Sequence, residues 1–381
     1  MKGENFLELF KSKSKCPTTQ LSDISQDQRG FLPTGILPLD YVIGAPGFPL
    51  GRIVEIYGLE SVGKSAIIAC LLGFAQQLGG VAALADTEHA YTNDWARLFS
   101  INPDELLILG PEHIQQATES FQALIKIFID KDAPSPRIIA WDSIAATPLL
   151  EEVDDDLSDK SLGLHARLLS KGLRELTNLI ETSNLLFIAA NQQKEKIGLF
   201  KGGGVTKIGG HAFDFHCSIQ LRLKRISLIP NPVDKSSVGM TIQITAVKNK
   251  IFRPYLSSTV KYYFDSGFDD TEFVTWFASQ IGILEEKGGG WKVFKGVNFQ
   301  NKDIPNEIWV ELEKIVIETY YGPYANSVLQ IRELRRNQAV LQPHWQLRGL
   351  TTNEDGFSKQ DGTTDSLPRK EVVDPVETLP S

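Results

Sequence analysis

The chain has 381 residues, 42% of them hydrophobic and 23% charged, with a formal net charge of −8. That composition suits a globular protein with a large core and one smaller domain. The negative balance excludes a global field that attracts nucleic acid, so a nucleic-acid binder would have to concentrate its positive charge locally. No apolar run reaches ~18 residues, so no transmembrane helix is expected. Cys16, Cys70 and Cys217 are widely spaced, without CxxC or metal-ligand spacing, and suit buried small hydrophobes in a reduced compartment.

Residues 1 to 33 read as a short helix candidate and a polar connection. The opening "MKGENFLELFKSKSK" is too short and polar in its apolar part for a secretory signal. A cytoplasmic location is the simplest expectation, with an organelle left open. Residues 34 to 267 alternate β-like and helical runs. The β-like runs are "GRIVEIY" (51–57), "VAALADTE" (81–88), "DELLILG" (104–110), "RIIAWDS" (137–143) and "LLFIAANQ" (185–192). Near-continuous apolar strands separated by helices indicate a mostly parallel sheet covered on both faces. After Gly209, "HCSIQLRLKRISL", "GMTIQITAVKNK" and "STVKYYFD" alternate in period two without helices between them. They predict antiparallel strands extending one edge. Residues 268 to 325 predict a small C-terminal α/β domain. Residues 326 to 381 are polar and Pro-containing, and predict a largely disordered tail.

Within this frame, "GLESVGKS" (58–65) fits GxxxxGK[ST] between a strand and a helical run. Its residues are Gly58, Glu60, Ser61, Val62, Gly63, Lys64 and Ser65, with Ala66 opening the helix. Glycines let the backbone wrap a phosphate, and the helix N-terminus adds partial positive charge. Lys64 would reach the β- and γ-phosphates of ATP, and Ser65 would hold Mg2+. Asp142 ends an apolar strand, the position for a carboxylate near the metal. "ADTEHA" offers a carboxylate to polarise an attacking water, and spacing alone does not choose Glu88 over Asp86. Gln192 ends another core strand, where a carboxamide can bond the γ-phosphate. It opens "NQQKEKIGLFKGGGVTKIGG" (191–210), basic, apolar and Gly-rich at once. Connections this long are uncommon unless functional or disordered.

The order of these motifs resembles the bacterial RecA recombinases, from about residue 34 to about residue 320. "TGILPLDYVIGAPGFPLGRIVEIYGLESVGKS", "DTEHAY", "WDSIAA", "SLGLHARLLSKGLREL", "NQQKEKIG" and "VKNK" carry the resemblance. It implies a RecA-like P-loop ATPase core with a mostly parallel sheet extended by antiparallel strands, plus a small C-terminal α/β domain. It also implies an ATP- and Mg2+-dependent helical filament on single-stranded DNA. Such a filament pairs with double-stranded DNA and exchanges strands in recombination, repair and the response to DNA damage. Single-strand-binding and loader proteins are further partners it brings with it. By position, Glu88 resembles the catalytic carboxylate, while Thr92 and Trp95 fall on adenine contacts. Lys248 and Lys250 look like a pair that reaches a neighbour's ATP, and Phe215 resembles a protomer-interface residue. Leu162, Arg167, Ser170 and Arg174 fall on a first DNA-binding loop and its helix. Lys194, Lys196, Ile197, Gly209 and Gly210 fall on a second. Two other readings compete: a RecA-like regulatory or scaffolding partner of another filament, and a hexameric helicase, against which the C-terminal domain argues.

Overall fold

The computed structural model describes residues 30–150, 160–195, 205–207 and 212–337. The expected N-terminal helix therefore lies outside the described residues, as do the first loop before residue 160 and most of the Gly-rich connection.

The elements run β1 (Phe31–Leu32), α1 (Leu37–Ile43), β2 (Phe48–Pro49), β3 (Arg52–Gly58), α2 (Lys64–Gln77), β4 (Val81–Asp86) and α3 (Asn93–Leu98). Next come β5 (Leu107–Leu109), α4 (Ile114–Asp130), β6 (Arg137–Asp142), α5 (Lys160–Thr182), β7 (Leu185–Glu195), β8 (Val205–Lys207) and α6 (Ala212–His216). Then follow β9 (Ile219–Pro230), β10 (Ser237–Asn249), β11 (Ser257–Tyr263), β12 (Gly267–Asp269) and α7 (Thr271–Gln280). The last are β13 (Glu285–Glu286), β14 (Lys292–Phe294), β15 (Val297–Phe299), α8 (Asn306–Tyr321) and α9 (Ala325–Asn337).

The main sheet has the order β12-β11-β10-β9-β3-β7-β6-β4-β5, with β8 attached to β7. Strands β3, β7, β6, β4 and β5 pair in parallel, as their apolar runs and intervening helices require. The extension differs from the expectation in one respect. β9 joins β3 in parallel, and only from β9 to β12 is the pairing antiparallel. The short helix α6 supplies the turn that lets β9 enter in the same direction as β3.

Strand alternation divides the core. Val54, Ile56, Ile188 and Ala190 face α2, packing with Ile67, Leu71 and Phe74. Ile53, Ala189 and Phe187 face α4 and α5, against Phe121, Leu169, Leu173, Leu176 and Ile180. A third cluster joins Phe273, Trp309, Leu312, Val316 and Tyr321 of the C-terminal elements to Leu37 of α1. No described helix is long and apolar enough to cross a membrane. Cys70 and Cys217 are buried, and Cys16 lies outside the described residues.

The boundary at 325 is corrected. Residues 326–337 are not tail but the body of α9, whose Val328 and Ile331 are buried. The high polarity of "RELRRN" conceals this, because one of its arginines points inward. Arg332, 3% exposed, bonds Asp270 through Nη1 (2.8 Å) and Nη2 (2.9 Å), Glu313 through Nη2 (2.6 Å), and the Gly35 carbonyl (2.9 Å). A buried cation is tolerated only when paired this fully. The boundary at 33 also shifts: Leu32 is fully buried in the core, and β1 pairs with β2.

A second buried contact joins α1 to α8. Asp40 accepts the Tyr321 hydroxyl (2.5 Å) and the Thr34 backbone N–H (3.2 Å). Burial pushes its carboxyl up to about 7; the Tyr321 and Thr34 bonds oppose this, and Asp270 adds to it. A carboxyl whose folded pKa is raised gives stability that is fully present below its unfolded pKa and lost as pH rises through the folded one. Asp40→Asn keeps an acceptor for both donors and never ionises. It should raise Tm by roughly 2–8 °C at pH 8 and by much less at pH 5. Equal effects at both pH values in thermal unfolding would contradict the raised pKa.

Candidate active site

The parallel register decides which side chains meet. Gly58 of β3 stands opposite Gln192 of β7, and Asp86 of β4 opposite Asp142 of β6. All four therefore reach the same C-terminal edge of the sheet, where open α/β sheets place their ligands. A cleft of about 530 Å3 lies there. Its lining includes Glu60 to Ala66, Glu88, Asp142 and Gln192, with Trp95, Met240, Tyr262 and Phe264.

Residues 59–63 turn from β3 into α2, and Glu60 to Gly63 line the cleft. Gly63 has φ of 90°, left-handed backbone that favours glycine. A Cβ on Gly58 would stand 2.5 Å from the Leu223 carbonyl oxygen of β9, so only glycine fits between the two strands. No side chain caps the start of α2, which leaves first-turn N–H groups directed into the cleft. Lys64 is 8% exposed and its ammonium donates to the carbonyls of Leu59 (2.7 Å) and Gly58 (3.4 Å). Burial lowers its pKa, against the opposing charges of Asp142, Glu88 and Glu60.

Asp142 is buried at the end of β6. Burial pushes its carboxyl up to about 6, and Glu88 adds to the shift; hydrogen bonds from Ser65 and Tyr91 and the charge of Lys64 oppose it. Tyr91 donates its hydroxyl to Asp142 (3.2 Å) and to the Ser65 carbonyl (3.3 Å). Thr87 and Ser143 tie the ends of β4 and β6 together: the Thr87 hydroxyl donates to the Ser143 carbonyl (2.8 Å) and accepts the Ser143 N–H (3.0 Å).

The choice between Glu88 and Asp86 follows from this clasp. The Asp86 carboxylate accepts the backbone N–H groups of Ala90 (3.2 Å) and Tyr91 (3.1 Å), so it shapes the turn after β4. Glu88 lies past the strand end, in that turn, and reaches into the cleft. Its Oε1 accepts the Ser143 hydroxyl (2.5 Å) and the Gln192 carboxamide (3.5 Å). The exposed carboxylate beside the phosphate loop is therefore Glu88.

A family model described as the RecA N-terminal domain matches residues 6–269. The chain belongs to the RecA family of recombinases. "Protein RecA" of Thermus thermophilus is 34% identical over 289 residues, 76% of this chain and 83% of that protein. "Protein RecA" of Bifidobacterium longum is 35% identical over 289 residues, 76% of this chain and 70% of the relative. That of Syntrophus aciditrophicus is 36% identical over 265 residues, 70% of this chain and 75% of the relative. The RecA N-terminal match ends where β12 ends, so α7 to α9 lie beyond it.

The remaining sequence expectations fall in different places. Trp95 lines the cleft and packs edge-on against Tyr91, centroids 4.7 Å apart. Thr92 is not among the lining residues; its hydroxyl caps α3 by accepting the Trp95 N–H (3.3 Å). Lys248 and Lys250 are far from this cleft. Met240, which lines it, sits on the same strand as Lys248, roughly 26 Å away at ~3.3 Å per residue. Lys248 is half-buried and donates to the Asp214 carbonyl of α6, while Lys250 is exposed just past β10. Phe215 on α6 is 76% exposed beside them.

On α5, Arg167 and Arg174 are exposed and Ser170 is half-buried, opposite the buried Leu169 and Leu173. Arg174 lies near Lys248 and Lys250: after burial, its charge and theirs depress the His216 pKa. Leu162 and Lys194 lie on α5 and β7, at positions whose side chains are not described. Lys196, Ile197, Gly209 and Gly210 lie outside the described residues.

Sequence reasoning missed Tyr91, Ser143, Met240, Tyr262 and Phe264. The first two stand beside recognised residues and carry hydroxyls. Met240 and Tyr262 belong to strands, and Phe264 follows one directly; the fold-back of these strands over the cleft depends on β9 joining β3, which no local pattern reveals. The division of labour between the two carboxylates is measurable. Asp86→Ala strands two backbone N–H groups and should cost roughly 1–3 kcal/mol of stability, whereas Glu88→Gln should leave Tm near wild type. Thermal unfolding of both variants checks this, and an equal loss in both would contradict the assignment.

Proposed function

We propose that the chain is a DNA-dependent ATPase that assembles as a helical filament on single-stranded DNA and catalyses homologous pairing and strand exchange. The observation that carries this reading is the meeting of Lys64, Asp142, Glu88 and Gln192 in one cleft, with Gln192 also opening the stem of the Gly-rich connection. Members of the RecA family are DNA-dependent ATPases that use ATP with Mg2+.

The loop from Gly58 to Ser65 and the first turn of α2 bind the phosphates through backbone N–H groups, and Lys64 places its charge on the β- and γ-phosphates. The donor set fits Mg2+. Ser65 and Asp142 are hydrogen-bonded hard-oxygen groups, and among the described residues no cluster of three or more His, Cys, Asp or Glu groups could hold a metal. Magnesium takes one or two protein oxygens and completes its shell with phosphate and water. When bound, it would neutralise charge on the transferring phosphoryl group. Glu88 orients the attacking water and takes its proton, and the Ser143 bond fixes which oxygen is free to do so. Trp95 offers an aromatic face for the base, with Thr92 setting the helix that carries it.

Lys248 and Lys250 serve the ATP of a neighbouring protomer, because their own cleft is out of reach. Exposed Phe215 belongs to the same contact. Arg167, Ser170 and Arg174 with Leu162 on α5, and Lys194, Lys196, Ile197, Gly209 and Gly210 around the Gly-rich connection, contact DNA. Cations and glycine backbone suit phosphates, and Ile197 suits a wedge between bases. Double-stranded DNA as second substrate, single-strand-binding and loader proteins, and a cytoplasmic setting belong to the same reading.

Negative-stain imaging with ATP and single-stranded DNA separates the alternatives. Helical filaments support this reading, closed rings a helicase, and no self-assembly a regulatory partner. In hydrolysis assays, Lys64→Ala should lose activity, and Glu88→Gln should bind nucleotide but turn over ~10²-fold more slowly or worse. Neither Lys248→Ala nor Lys64→Ala should hydrolyse ATP alone. Mixed together they should recover some activity, since a mixed interface combines intact halves. No recovery at any ratio, with co-assembly shown, would contradict a shared site.

A further inference from the structure

A chain of buried side-chain hydrogen bonds crosses the sheet from the cleft to α6. It begins at Gln192, whose backbone N–H donates to Asn191 Oδ1 (2.8 Å). Asn191 Nδ2 donates to Glu55 Oε1 (2.8 Å). Glu55 Oε2 accepts from Gln220 Nε2 (2.6 Å), which also donates to Asp214 Oδ1 on α6 (2.7 Å). Asp214 then receives Lys248 at its carbonyl. Glu55 is 0% exposed, Asn191 1% and Gln220 6%.

The register explains the path. Glu55 of β3 stands opposite Gln220 of β9, and Asn191 of β7 is diagonal to Glu55, so all three share the face that packs α5 and α6. Gln192, the next residue, points to the other face, into the cleft. One strand end thus carries a group toward nucleotide and a group toward α6. The polarity is directional: the two N–H bonds of one carboxamide, Gln220, lie between two carboxylates. Removing Gln220 would leave two acceptors facing each other, and removing Asn191 would cut Gln192 from the rest. Glu55 is an ionisable group in the middle of a core, and phosphate binding, as read above, does not use it. Buried polar networks are costly unless fully satisfied, and when satisfied they fix one arrangement.

We propose that Asn191, Glu55 and Gln220 are positioning residues that tie the place of Gln192 in the nucleotide cleft to the place of α6, and so to the self-association surface carrying Phe215 and Lys248. The proposal rests on the reading of that surface as a protomer contact. The two ends it joins, β7 and α6, are also the two stems of the Gly-rich connection. A shift of Gln192 toward a γ-phosphate pulls Asn191 with it. The Glu55–Gln220 bridge passes that pull to Asp214 instead of letting the stems move apart. Energetic coupling needs an element with two arrangements that both sites bias, and the proposal assigns that role to α6, five residues long with an exposed tip.

The test compares the full-length wild type with Asn191→Ala, Gln220→Met and the double variant. A non-hydrolysable ATP analogue with magnesium is the probe, and sedimentation reads self-association. The wild type should assemble roughly 5–150-fold more tightly with the analogue. Each single variant should bind the analogue within about twofold of wild type yet lose most of that gain. The double variant should lose no more than either single one, the signature of residues acting in one chain. Retained gain in the single variants, or losses that add in the double, overturns the proposal.

Hydrogen exchange on wild type below the assembly concentration keeps the question open to refutation if a variant misfolds. The amides of residues 213–217 should change protection on adding the analogue; no change overturns the proposal. If the wild type fails to self-associate in any nucleotide state while α6 still responds, the interface reading fails and the relay stands only as far as α6. That overturns the proposal as stated and marks which half was wrong.

Discussion

The pairing of β3 with β7 in parallel, with Gly58 opposite Gln192, is the constraint on which the site depends. Parallel strands must all run the same way, so each delivers its last residue to one edge of the sheet. That single geometric fact brings the phosphate loop, Asp142 at the end of β6 and Gln192 together from positions as far apart as residues 58 and 192. A slip of one residue between β3 and β7 would turn Gln192 to the opposite face and Asn191 into the cleft. The apolar alternation on both faces resists such a slip, because it would also turn Ile188 and Ala190 out of one core and Phe187 and Ala189 out of the other.

The second half of the sheet serves a different purpose. Joining β9 beside β3 brings Leu223 against Gly58 and carries β10 and β11 over the cleft, where Met240 and Tyr262 complete its wall. The same strands run away from the cleft to Lys248. One hairpin therefore walls the cleft at one end and carries Lys248 to α6 at the other. The C-terminal elements are fastened to this core by buried polar contacts as well as by apolar packing. Arg332 binds Asp270, Glu313 and the Gly35 carbonyl, and Asp40 binds Tyr321. Breaking such a buried pair by removing one partner costs roughly 3–5 kcal/mol, which makes these contacts sensitive points of the fold.

Local patterns revealed what local chemistry determines. The parallel strands were legible because two-sided burial writes near-continuous apolar runs, and the phosphate loop because its glycines have no substitute. Gln192 and Asp142 were legible from their places at strand ends. What the sequence hid depended on distant partners. The direction of β9 is set by α6, a five-residue helix with no periodic signal. Helix α9 looked like polar tail because Arg332 finds its carboxylates 19 and 62 residues away. Glu88 and Asp86 are two residues apart with the same chemistry, and what separates them is folded-state partners: backbone N–H groups of Ala90 and Tyr91 for Asp86, Ser143 and Gln192 for Glu88. Lys248 is held half-buried by its bond to the Asp214 carbonyl, a partner 34 residues away in sequence.

The central claim is that one residue, Gln192, stands between nucleotide and DNA. Its side chain reaches Glu88 in the cleft, and its main chain leads into the Gly-rich connection. The direct measurement is single-stranded DNA affinity by fluorescence anisotropy across salt, with and without a non-hydrolysable ATP analogue, for wild type and Gln192→Ala. The account predicts that the analogue strengthens DNA binding in the wild type. In Gln192→Ala both ligands should still bind, but neither should strengthen the other, since coupling is reciprocal. Equal strengthening by the analogue in both proteins would contradict it.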